Sequence, residues 1–344
     1  MKVALDAQLA IGTATGIGEY VRGLSEALRR EGVVDVVELA APGLDPWRFD
    51  RRVLWDQVLL PRRARGSHAD VLHCASGTVP LRTHLPVVAT VHDVAWLRVQ
   101  SHARPYARYY FGPFSVERYR NVAQIVVDSE FSRRELASVL GSYDQQRVRV
   151  VYPGVAEEFG RLQRADGDRR TILVVGTVER RKNLDAMIRL LPRLEGARIV
   201  SVGPATPYLD ECRALARTLD VVDRVEFRGY VTRPDLLTLY ATCAVVAVPS
   251  RYEGFGYAAA QALCAGAPCI VSDRGALAEI VGTDAPIIPL DDSPAWKNAI
   301  EFALSGADDP RAAGIRARAV KRYSWSAAAR QMEAVYQAAM ATTH

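Results

Sequence analysis

The most constraining feature of the sequence is a stretch in which an apolar run, a glycine turn and an alanine-rich segment follow one another. The apolar run at 244–248 stops at Pro249, a Glu-Gly-Phe-Gly turn occupies 253–256, and a helix-like segment passes Gln261. A strand, a glycine turn and a helix form an anion site in α/β domains, because glycine lets the backbone approach a ligand and free N–H groups at the helix start face negative charge. A carboxylate in the turn would repel a phosphate. We therefore expect Glu253 to face hydroxyl groups beside it, as in a sugar joined to a diphosphate.

Apolar runs alternate with helical patterns along the whole chain, which predicts parallel sheets. The runs are almost entirely apolar, as expected for strands that are covered on both faces. A chain of 344 residues is too long for one compact core, so we predict two α/β domains. The predicted strands are 2–6, 33–40, 71–74, 87–91, 125–127 and 148–151 in the first half and 171–175, 197–203, 224–227, 244–248, 269–272 and 286–290 in the second.

The strand pattern breaks at 152–154, and the polar segment 161–170 has no apolar periodicity, which predicts a linker. We therefore place the two domains at 1–160 and 170–325. A helix at 326–340 follows, with Ser326 as its predicted N-cap and Trp325 as an expected core residue. Near the N-terminus, a glycine-rich loop at 15–19 is predicted to precede a helix at 20–30.

Composition excludes several classes of protein. Hydrophobic residues make up 49% and charged residues 24%, as in ordinary globular proteins, and no apolar run approaches the ~18 residues of a membrane span. An acid as early as Asp6 argues against a signal peptide, so we expect a cytoplasmic protein. The five cysteines are scattered and form no Cys-x-x-Cys pair, which makes zinc unlikely. The net charge of +5 and the arginine clusters fit nucleic acid, an anionic membrane or a phosphorylated small molecule, but no nucleic-acid motif accompanies them.

Two further segments follow predicted strands. Arg180-Arg181-Lys182 comes after the strand at 171–175, where arginine can bind phosphate oxygens with two hydrogen bonds and lysine adds a point charge. His92 and Asp93 follow the strand at 87–91, at the edge where open α/β sheets bind ligands. The aromatic and basic segment 106–111 fits a packed helix face, an acceptor cleft or a membrane surface, and the sequence leaves these open.

Taken together, these motifs resemble family four of the retaining glycosyltransferases. The shared features are the Glu-Gly-Phe-Gly turn, the stretch from Gly176 to Arg-Lys-Asn-Leu at 181–184, Val-His-Asp-Val-Ala-Trp at 91–96 and Asp-Ser-Glu-Phe-Ser-Arg at 128–133. The resemblance covers nearly the whole chain in the right order. Within the family, the chain is most similar to mannosyltransferases of bacterial O-antigen, capsule and exopolysaccharide assembly.

The resemblance implies a GT-B fold, with two Rossmann-like domains facing each other across a cleft. Residues 1–160 would bind the acceptor and residues 170–325 the nucleotide sugar, while 326–344 would form a helix that crosses back to the first domain. The implied catalytic residues are His92, Lys182 and Glu253. The implied donor-binding residues are Gly16 and Gly18 in a loop over the diphosphate, with Arg181, Lys182, Tyr230, Val231, Glu253, Gly254, Phe255, Gly256, Tyr257 and Gln261. The candidate acceptor-binding residues are Asp93, Trp96, Tyr106 and Tyr109.

The sequence departs from the family pattern at two positions. The second acid of the family's E-x7-E motif, which usually holds the ribose hydroxyls, is Gln261 here. An amide accepts through one oxygen and donates through its nitrogen, so we expect weaker or different nucleotide recognition. Thr177 stands where many relatives carry an arginine, a charge that Arg180 or Arg181 could supply.

The expected function is a retaining hexosyl transfer without a metal or cofactor, because Arg181, Lys182 and helix N-termini can neutralise the diphosphate. We expect a nucleotide-diphosphate sugar, GDP-mannose first, as the donor and a saccharide or a polyprenyl-linked saccharide as the acceptor. No nucleophile for a covalent intermediate is evident, so front-face substitution is the expected route. Peripheral contact with the anionic inner face of a membrane stays open. The alternatives are a GT-B sugar-nucleotide epimerase or hydrolase and a non-catalytic GT-B binding partner.

Overall fold

The computed structural model describes residues 1–12, 16–98, 104–141, 144–165, 169–306 and 309–342. The chain forms two compact units, one made of Met1–Gly154 and Tyr323–His344 and the other of Val155–Arg322. Each unit contains one six-stranded sheet in which every strand pair is parallel. The α/β class and the two Rossmann-like domains expected from the sequence are thus confirmed.

The sheet of the first unit has the strand order β2-β1-β3-β4-β5-β6. The chain runs outwards in both directions from the β1/β3 pair, so the strand order reverses there, at the place where open α/β sheets bind ligands. Its strands are β1 Lys2–Asp6, β2 Asp35–Leu39, β3 Val71–Cys74, β4 Val87–Val91, β5 Gln124–Val127 and β6 Val148–Val150.

The sheet of the second unit has the order β12-β11-β10-β7-β8-β9, which matches the arrangement of dinucleotide-binding domains. Its strand order reverses between β7 and β10. Its strands are β7 Thr171–Val175, β8 Arg198–Val202, β9 Val225–Gly229, β10 Val245–Val248, β11 Cys269–Ser272 and β12 Ile287–Ile288.

Helices connect these strands, and no helix of the described residues is long and apolar enough to cross a membrane. One π-helical turn, Trp55–Leu59, joins α2 to α3, and another, Tyr110–Phe114, joins α5 to α6. The α-helices are α1 Gly16–Glu31, α2 Phe49–Leu54, α3 Leu60–Gly66, α4 Ala95–Arg98, α5 Pro105–Tyr109, α6 Ser115–Tyr119, α7 Glu130–Leu140, α8 Glu157–Arg161, α9 Leu184–Leu190, α10 Tyr208–Thr218, α11 Arg233–Thr242, α12 Tyr257–Ala265, α13 Leu277–Val281, α14 Ser293–Leu304, α15 Ala312–Arg322 and α16 Trp325–Ala341.

The helix α16 completes the core of the first unit. Its Met332, Val335 and Tyr336 are buried in the same apolar cluster as residues of α1 and β1. The prediction of Ser326 as N-cap was wrong. Ser324 caps the helix by accepting from the amide of Ala327, because Trp325 is buried and already belongs to the first turn.

Residues that follow Gly154 pack on the second unit. Phe159 on α8 is fully buried, with its ring 5.2 Å from that of Tyr240, and Arg316 donates to the carbonyl oxygen of Gly160 at 2.6 Å. The described part of the predicted linker at 161–170 contacts the second unit, because Arg164 donates to the carbonyl oxygens of Tyr240 and Cys243, each at 2.6 Å. Residues 166–168 lie outside the described residues.

Candidate functional site

A charged cluster lies where the strand order of the second sheet reverses. The chain leaves β7 at Val175 and reaches a short 3₁₀ turn at Arg180–Lys182, and it leaves β10 at Val248 and reaches Glu253. Since β7 and β10 are parallel neighbours, both loops leave the same edge of the sheet. This topology explains why residues 71 positions apart in the chain come into contact.

Glu253 is the centre of the cluster. Its Oε1 accepts from Lys182 Nζ at 2.6 Å and from Ser250 Oγ at 2.7 Å, and its Oε2 accepts from Arg181 Nη1 at 3.3 Å. Arg181 also binds Glu179 at 2.8 Å and the carbonyl oxygen of Tyr252 at 3.0 Å. The structure therefore brings together three of the predicted site residues, Arg181, Lys182 and Glu253. It adds Ser250, which sequence reasoning missed although it lies only three residues before Glu253.

The electrostatics of the cluster favour the ionised form of Glu253. Burial opposes ionisation, but the charges of Lys182 and Arg181 outweigh it and hold the pKa of Glu253 below its ordinary value. The two cations lie against a buried carboxylate, and their side chains keep 18% and 21% of their surface exposed. They can therefore contact both the carboxylate and a second anion that approaches from solvent.

The turn that carries Glu253 is fixed by its backbone. The carbonyl oxygen of Glu253 accepts from the amide of Ala276 at 2.9 Å. Gly275 lies so close that a Cβ there would be 2.5 Å from the Glu253 amide nitrogen. Gly256 precedes α12 with a left-handed φ of 98°, which only glycine adopts easily. The predicted turn residues Gly254, Phe255 and Tyr257 thus lie directly before or at the start of α12, with the rings of Phe255 and Tyr257 5.2 Å apart.

Gln261 lies one turn further along α12 and is oriented by a buried tyrosine. Its Oε1 accepts from the hydroxyl of Tyr240 at 3.0 Å, and Tyr240 is completely buried. In the described part of the chain the Gln261 amide nitrogen donates to no protein group. The side chain therefore offers a donor to a ligand, whereas an acid would offer an acceptor. Tyr240 was missed from the sequence, because nothing in the α11 pattern marks it as a partner of α12.

Tyr230 and Val231 follow β9, which is two strands away from β7. They lie at the same edge of the sheet as the Glu253 cluster, and no hydrogen bond of the described residues links them to it. Tyr230 has 53% of its surface exposed, so its ring is available to a planar ligand.

In the first unit, His92 follows β4 and is held by two acceptors. Its Nδ1 lies 2.7 Å from Asp128 Oδ2 and its Nε2 lies 3.0 Å from the carbonyl oxygen of Ala75. Both hydrogen bonds form together only if both ring nitrogens carry protons. Burial lowers the pKa of His92, but Asp128, the Ala75 carbonyl oxygen and Asp93 together raise the pKa above its ordinary value. The geometry favours a fixed imidazolium. Asp128 follows β5, the neighbour of β4, and this position was the available signal for the pair.

The first turn of α1 carries Gly16 and Gly18. The prediction of a loop before a helix at 20–30 was wrong, because the helix already begins at Gly16, and Thr15 lies outside the described residues. Glu19 in this turn stabilises the helix start through its negative charge. Tyr20 packs its ring 4.9 Å from that of His92, so α1 also positions the histidine.

The candidate acceptor residues fall into two groups. The side chain of Asp93 accepts from the amide of Ala95, the first residue of α4, at 2.9 Å, so it caps the start of that helix. Trp96, Tyr106 and Tyr109 belong to an exposed aromatic surface, with 37%, 47% and 62% of their area accessible. Trp96 stacks on Phe111 with ring centres 4.9 Å apart, and the other two contact neighbouring phenylalanines.

A buried polar network, not expected from the sequence, lies where the strand order of the first sheet reverses. Arg52 donates to Asp56 at 2.8 Å and to Thr78 at 2.6 Å, and it also binds Ser76. Ser76 donates to Asp6 at the end of β1 at 2.7 Å. The network holds the loop after β3, and Ala75 in that loop binds His92.

Comparison with known proteins gives consistent matches. The family described as Glycosyltransferase Family 4 matches residues 14–159, and the family described as Glycosyl transferases group 1 matches residues 156–320. A D-inositol 3-phosphate glycosyltransferase from Xylanimonas cellulosilytica is 32% identical over 96% of this chain and 93% of its own length. The enzyme of that name from Mycobacteroides abscessus is 30% identical over 76% of this chain. That match spans 62% of the relative's own length. An uncharacterized glycosyltransferase from Methanocaldococcus jannaschii is also 30% identical, over 63% of this chain and 60% of its own length.

Two solved structures share the fold. A sucrose-phosphate synthase from Thermosynechococcus elongatus superposes with a TM-score of 0.75 at 22% identity, covering 98% of both chains. HepE of Anabaena in complex with UDP-glucose superposes with a TM-score of 0.74 at 16% identity, covering 96% of this chain and 98% of its own.

Proposed function

The chain belongs to glycosyltransferase family 4, and from this premise we propose that it transfers a sugar from a nucleoside-diphosphate donor to an acceptor hydroxyl with retention of configuration. The observation that carries the proposal is the cluster of Lys182, Arg181 and Glu253 where the strand order of the second sheet reverses. It offers two cations for a diphosphate and one carboxylate for sugar hydroxyls within a few ångströms. Sugar transfer requires both signs of charge: cations beside the leaving diphosphate and a carboxylate beside the sugar.

The diphosphate of the donor would bind Arg181 and Lys182 near the start of α12. Arginine matches phosphate oxygens with parallel hydrogen bonds, and the free amides of a helix N-terminus favour an anion. We propose that these groups neutralise the leaving group without a metal ion. Lys182 would move part of its contact from Glu253 Oε1 to the phosphate. Glu253 stays held by Ser250 and accepts from hydroxyl groups of the sugar.

The transfer step breaks the bond between the anomeric carbon and the β-phosphate oxygen, and the electron pair leaves with that oxygen. Negative charge grows on the diphosphate, and Lys182 and Arg181 stabilise it more strongly in the transition state than in the ground state. The acceptor oxygen attacks from the face that the diphosphate leaves, and its proton passes to the departing phosphate oxygen. This route retains configuration without a protein nucleophile.

For His92 we propose a role without proton transfer. Both ring nitrogens are engaged by Asp128 and Ala75, so the imidazolium is a fixed charge of the first unit. As the resemblance implies, it would lie near the transferred sugar. A fixed charge supports binding and orientation, whereas a general acid or base would need a ring nitrogen free to exchange its proton.

For the nucleoside we propose that Gln261 donates to a ribose oxygen through its amide nitrogen. The Tyr240 hydroxyl on Oε1 keeps the amide in this orientation. The contact replaces the charge-assisted bonds of an acid with one neutral bond, so we expect the nucleotide to be held more weakly than by an acid.

The sugar, base and acceptor are the finer parts of the proposal. GDP-mannose remains the donor predicted from the sequence motifs, and UDP-glucose, the ligand in the HepE structure, is the competing donor to test first. The acceptor we propose is a saccharide, free or lipid-linked. The names of the curated relatives add D-inositol 3-phosphate to the acceptors to be tested.

The test is turnover of purified protein with a panel of nucleotide sugars and these acceptors, preceded by a thermal-shift screen of the donors. We expect one donor to raise the apparent stability, and the product to keep the anomeric configuration of that donor by NMR. Donor consumption without any acceptor would instead indicate an epimerase or a hydrolase. If no donor binds, the proposal is wrong.

Lys182→Ala tests the assigned role, and Arg180→Ala is its matched control. Arg180 lies two residues away, is 62% exposed and pairs with Glu211 rather than with Glu253. We expect Lys182→Ala to reduce turnover by at least about a hundredfold, as typically follows removal of one group that stabilises developing charge, and Arg180→Ala to stay within about twofold. Full turnover by Lys182→Ala would refute the assignment.

A further inference from the structure

Two adjoining pockets lie at the amino edge of the first sheet, away from the groups discussed so far. One has a volume of about 350 Å³ and the other of about 580 Å³, and they share Arg82 and Thr83. The larger pocket reaches Val87, the first residue of β4, as well as Ala123 and Arg147, which directly precede β5 and β6. His92 lies beyond the opposite ends of these strands. Each residue of a strand adds about 3.3 Å, so the length of β4 separates the pockets from the proposed reaction.

The lining of the pockets is strongly basic. The smaller pocket is lined by Arg62, Arg65, Arg82 and His84 together with Pro61 and Thr83, and the larger adds Arg118 and Arg147. No carboxylate lines either pocket. Within the part of the chain that the structure describes, Arg62, Arg65 and Arg82 form no ion pair, whereas many other arginines contact an acid. The positive charge of these three arginines is therefore not neutralised by an acid of the described residues, whereas Arg147 lies 3.7 Å from Asp144.

Arg118 gives a second, independent observation. Its Nε is buried and has no hydrogen-bond partner among the described residues, and its Nη2 reaches only the carbonyl oxygen of Leu81 at 3.4 Å. A buried donor without an acceptor is unfavourable, and a guanidinium group retains its charge under all ordinary conditions. An anion in the larger pocket, which Arg118 lines, would give its guanidinium group a stronger acceptor than the Leu81 carbonyl oxygen.

We propose that these pockets bind a phosphate-bearing ligand at a site separate from the sugar-transfer centre. Arginine is suited to phosphate oxygens because its fork of donors matches their geometry. Arg82 would contact the phosphate in the middle, with Arg62 and Arg65 on one side and Arg118 on the other. The apolar residues that line the larger pocket, among them Leu85, suit the carbon skeleton that carries the phosphate. Both a phospholipid headgroup and a soluble phosphorylated molecule have this chemistry.

The test compares two triple variants that remove the same charge from exposed positions of the first unit. Arg62→Ala/Arg65→Ala/Arg82→Ala changes the pockets, and Arg29→Ala/Arg133→Ala/Arg134→Ala is the control away from them. Circular dichroism and thermal melting should be close to those of the parent in both, since all six side chains are exposed and the ion pairs of Arg29 and Arg133 in the control lie at the surface, where such pairs contribute little.

Vesicles of phosphatidylglycerol, with phosphatidylcholine vesicles as reference, test the lipid source by co-sedimentation. Pyrophosphate titrated calorimetrically into protein carrying Lys182→Ala tests the soluble source, because that substitution weakens the proposed donor site. We expect the triple variant of the pockets to bind one of these probes at least tenfold more weakly than the control triple variant does. Equal binding by both triples, or no binding of either probe by the parent, would overturn the proposal. Neither outcome bears on sugar transfer.

Discussion

The substitution Glu253→Gln separates the charge of the central carboxylate from its shape. Glutamine keeps the size of the side chain and can still accept from Ser250, but it leaves Lys182 and Arg181 without their buried counter-ion. Breaking a buried ion pair by removing one partner costs about 3–5 kcal/mol. Because both cations keep about a fifth of their side-chain surface exposed, water recovers part of this loss, and we expect about 2–3 kcal/mol. For a domain of this size the melting temperature should fall by roughly 4–12 °C.

The pH dependence of this loss follows from the lowered pKa of Glu253. A carboxyl group whose pKa is lower in the folded state stabilises the protein above the pKa of the unfolded state, and that stabilisation disappears as pH falls through the folded value. The difference in melting temperature between the parent and Glu253→Gln should therefore be largest near neutral pH. It should shrink as the pH is lowered below the ordinary value of 4.5.

Binding of a nucleoside diphosphate should change in the opposite direction. In Glu253→Gln the cations no longer share their charge with a carboxylate, so UDP or GDP should bind about tenfold more tightly, a gain of about 1.4 kcal/mol, while sugar transfer is lost. Differential scanning fluorimetry with and without the nucleotide measures both effects. Glu179→Gln is the matched control, because the side chain of Glu179 contacts Arg181 but not Lys182 and is 35% exposed. If Glu253→Gln and Glu179→Gln melt alike and respond alike to the nucleotide, the assigned electrostatics of the cluster are wrong.

Three other predictions test features on which this reasoning depends. Gln261→Glu should tighten the binding of GDP by up to about tenfold through charge-assisted bonds to the ribose, and should tighten the binding of 2′-deoxy-GDP less. If calorimetry gives the parent and Gln261→Glu the same affinity for GDP, the ribose contact is refuted. Gly23→Ala should destabilise the protein by about 1–3 kcal/mol, because the new methyl group would overlap the indole of Trp325 at the start of α16. The control Gly314→Ala, on exposed α15, should stabilise the protein by up to about 1 kcal/mol, because alanine favours helix over glycine. Urea unfolding compares the two variants. Asp128→Asn should lower the pKa of His92, and an NMR titration in which its midpoint does not move would show that the carboxylate does not hold the imidazolium.

The strands were predictable because burial on both faces leaves a plain signal in the chain. Five strands have the predicted bounds, namely 2–6, 71–74, 87–91, 171–175 and 269–272, and the others begin and end within one or two residues of theirs. The π-helical turns were not predictable. The turn at Tyr110–Phe114 lies where the Tyr110 hydroxyl donates to the buried Asp56 at 2.9 Å, a tertiary contact that leaves no periodic trace.

The candidate site was predictable only as a set of residue types at strand ends. The chemistry of Arg181, Lys182 and Glu253 could be inferred from charge and position, but their direct contact depends on the strand order, which reverses between β7 and β10. The orientation of Gln261 depends on Tyr240, which lies on another helix. Such pairings are properties of the packed fold, and a single sequence shows neither partner as special.

The contribution of α16 to the first core has a consequence for synthesis of the chain on the ribosome. The first unit needs residues from both sides of the second, and Trp325 fits against Gly154 and α1 only after Val155–Arg322 has been made. At roughly 5–20 residues per second, the nascent first sheet must wait on the order of ten to thirty seconds with one apolar face covered by α1 but not by α16. During this interval the second unit can fold as an independent insert, while the core of the first stays incomplete. A circular permutant that begins at Val155 and joins α16 directly to β1 would make both units continuous and remove the delay.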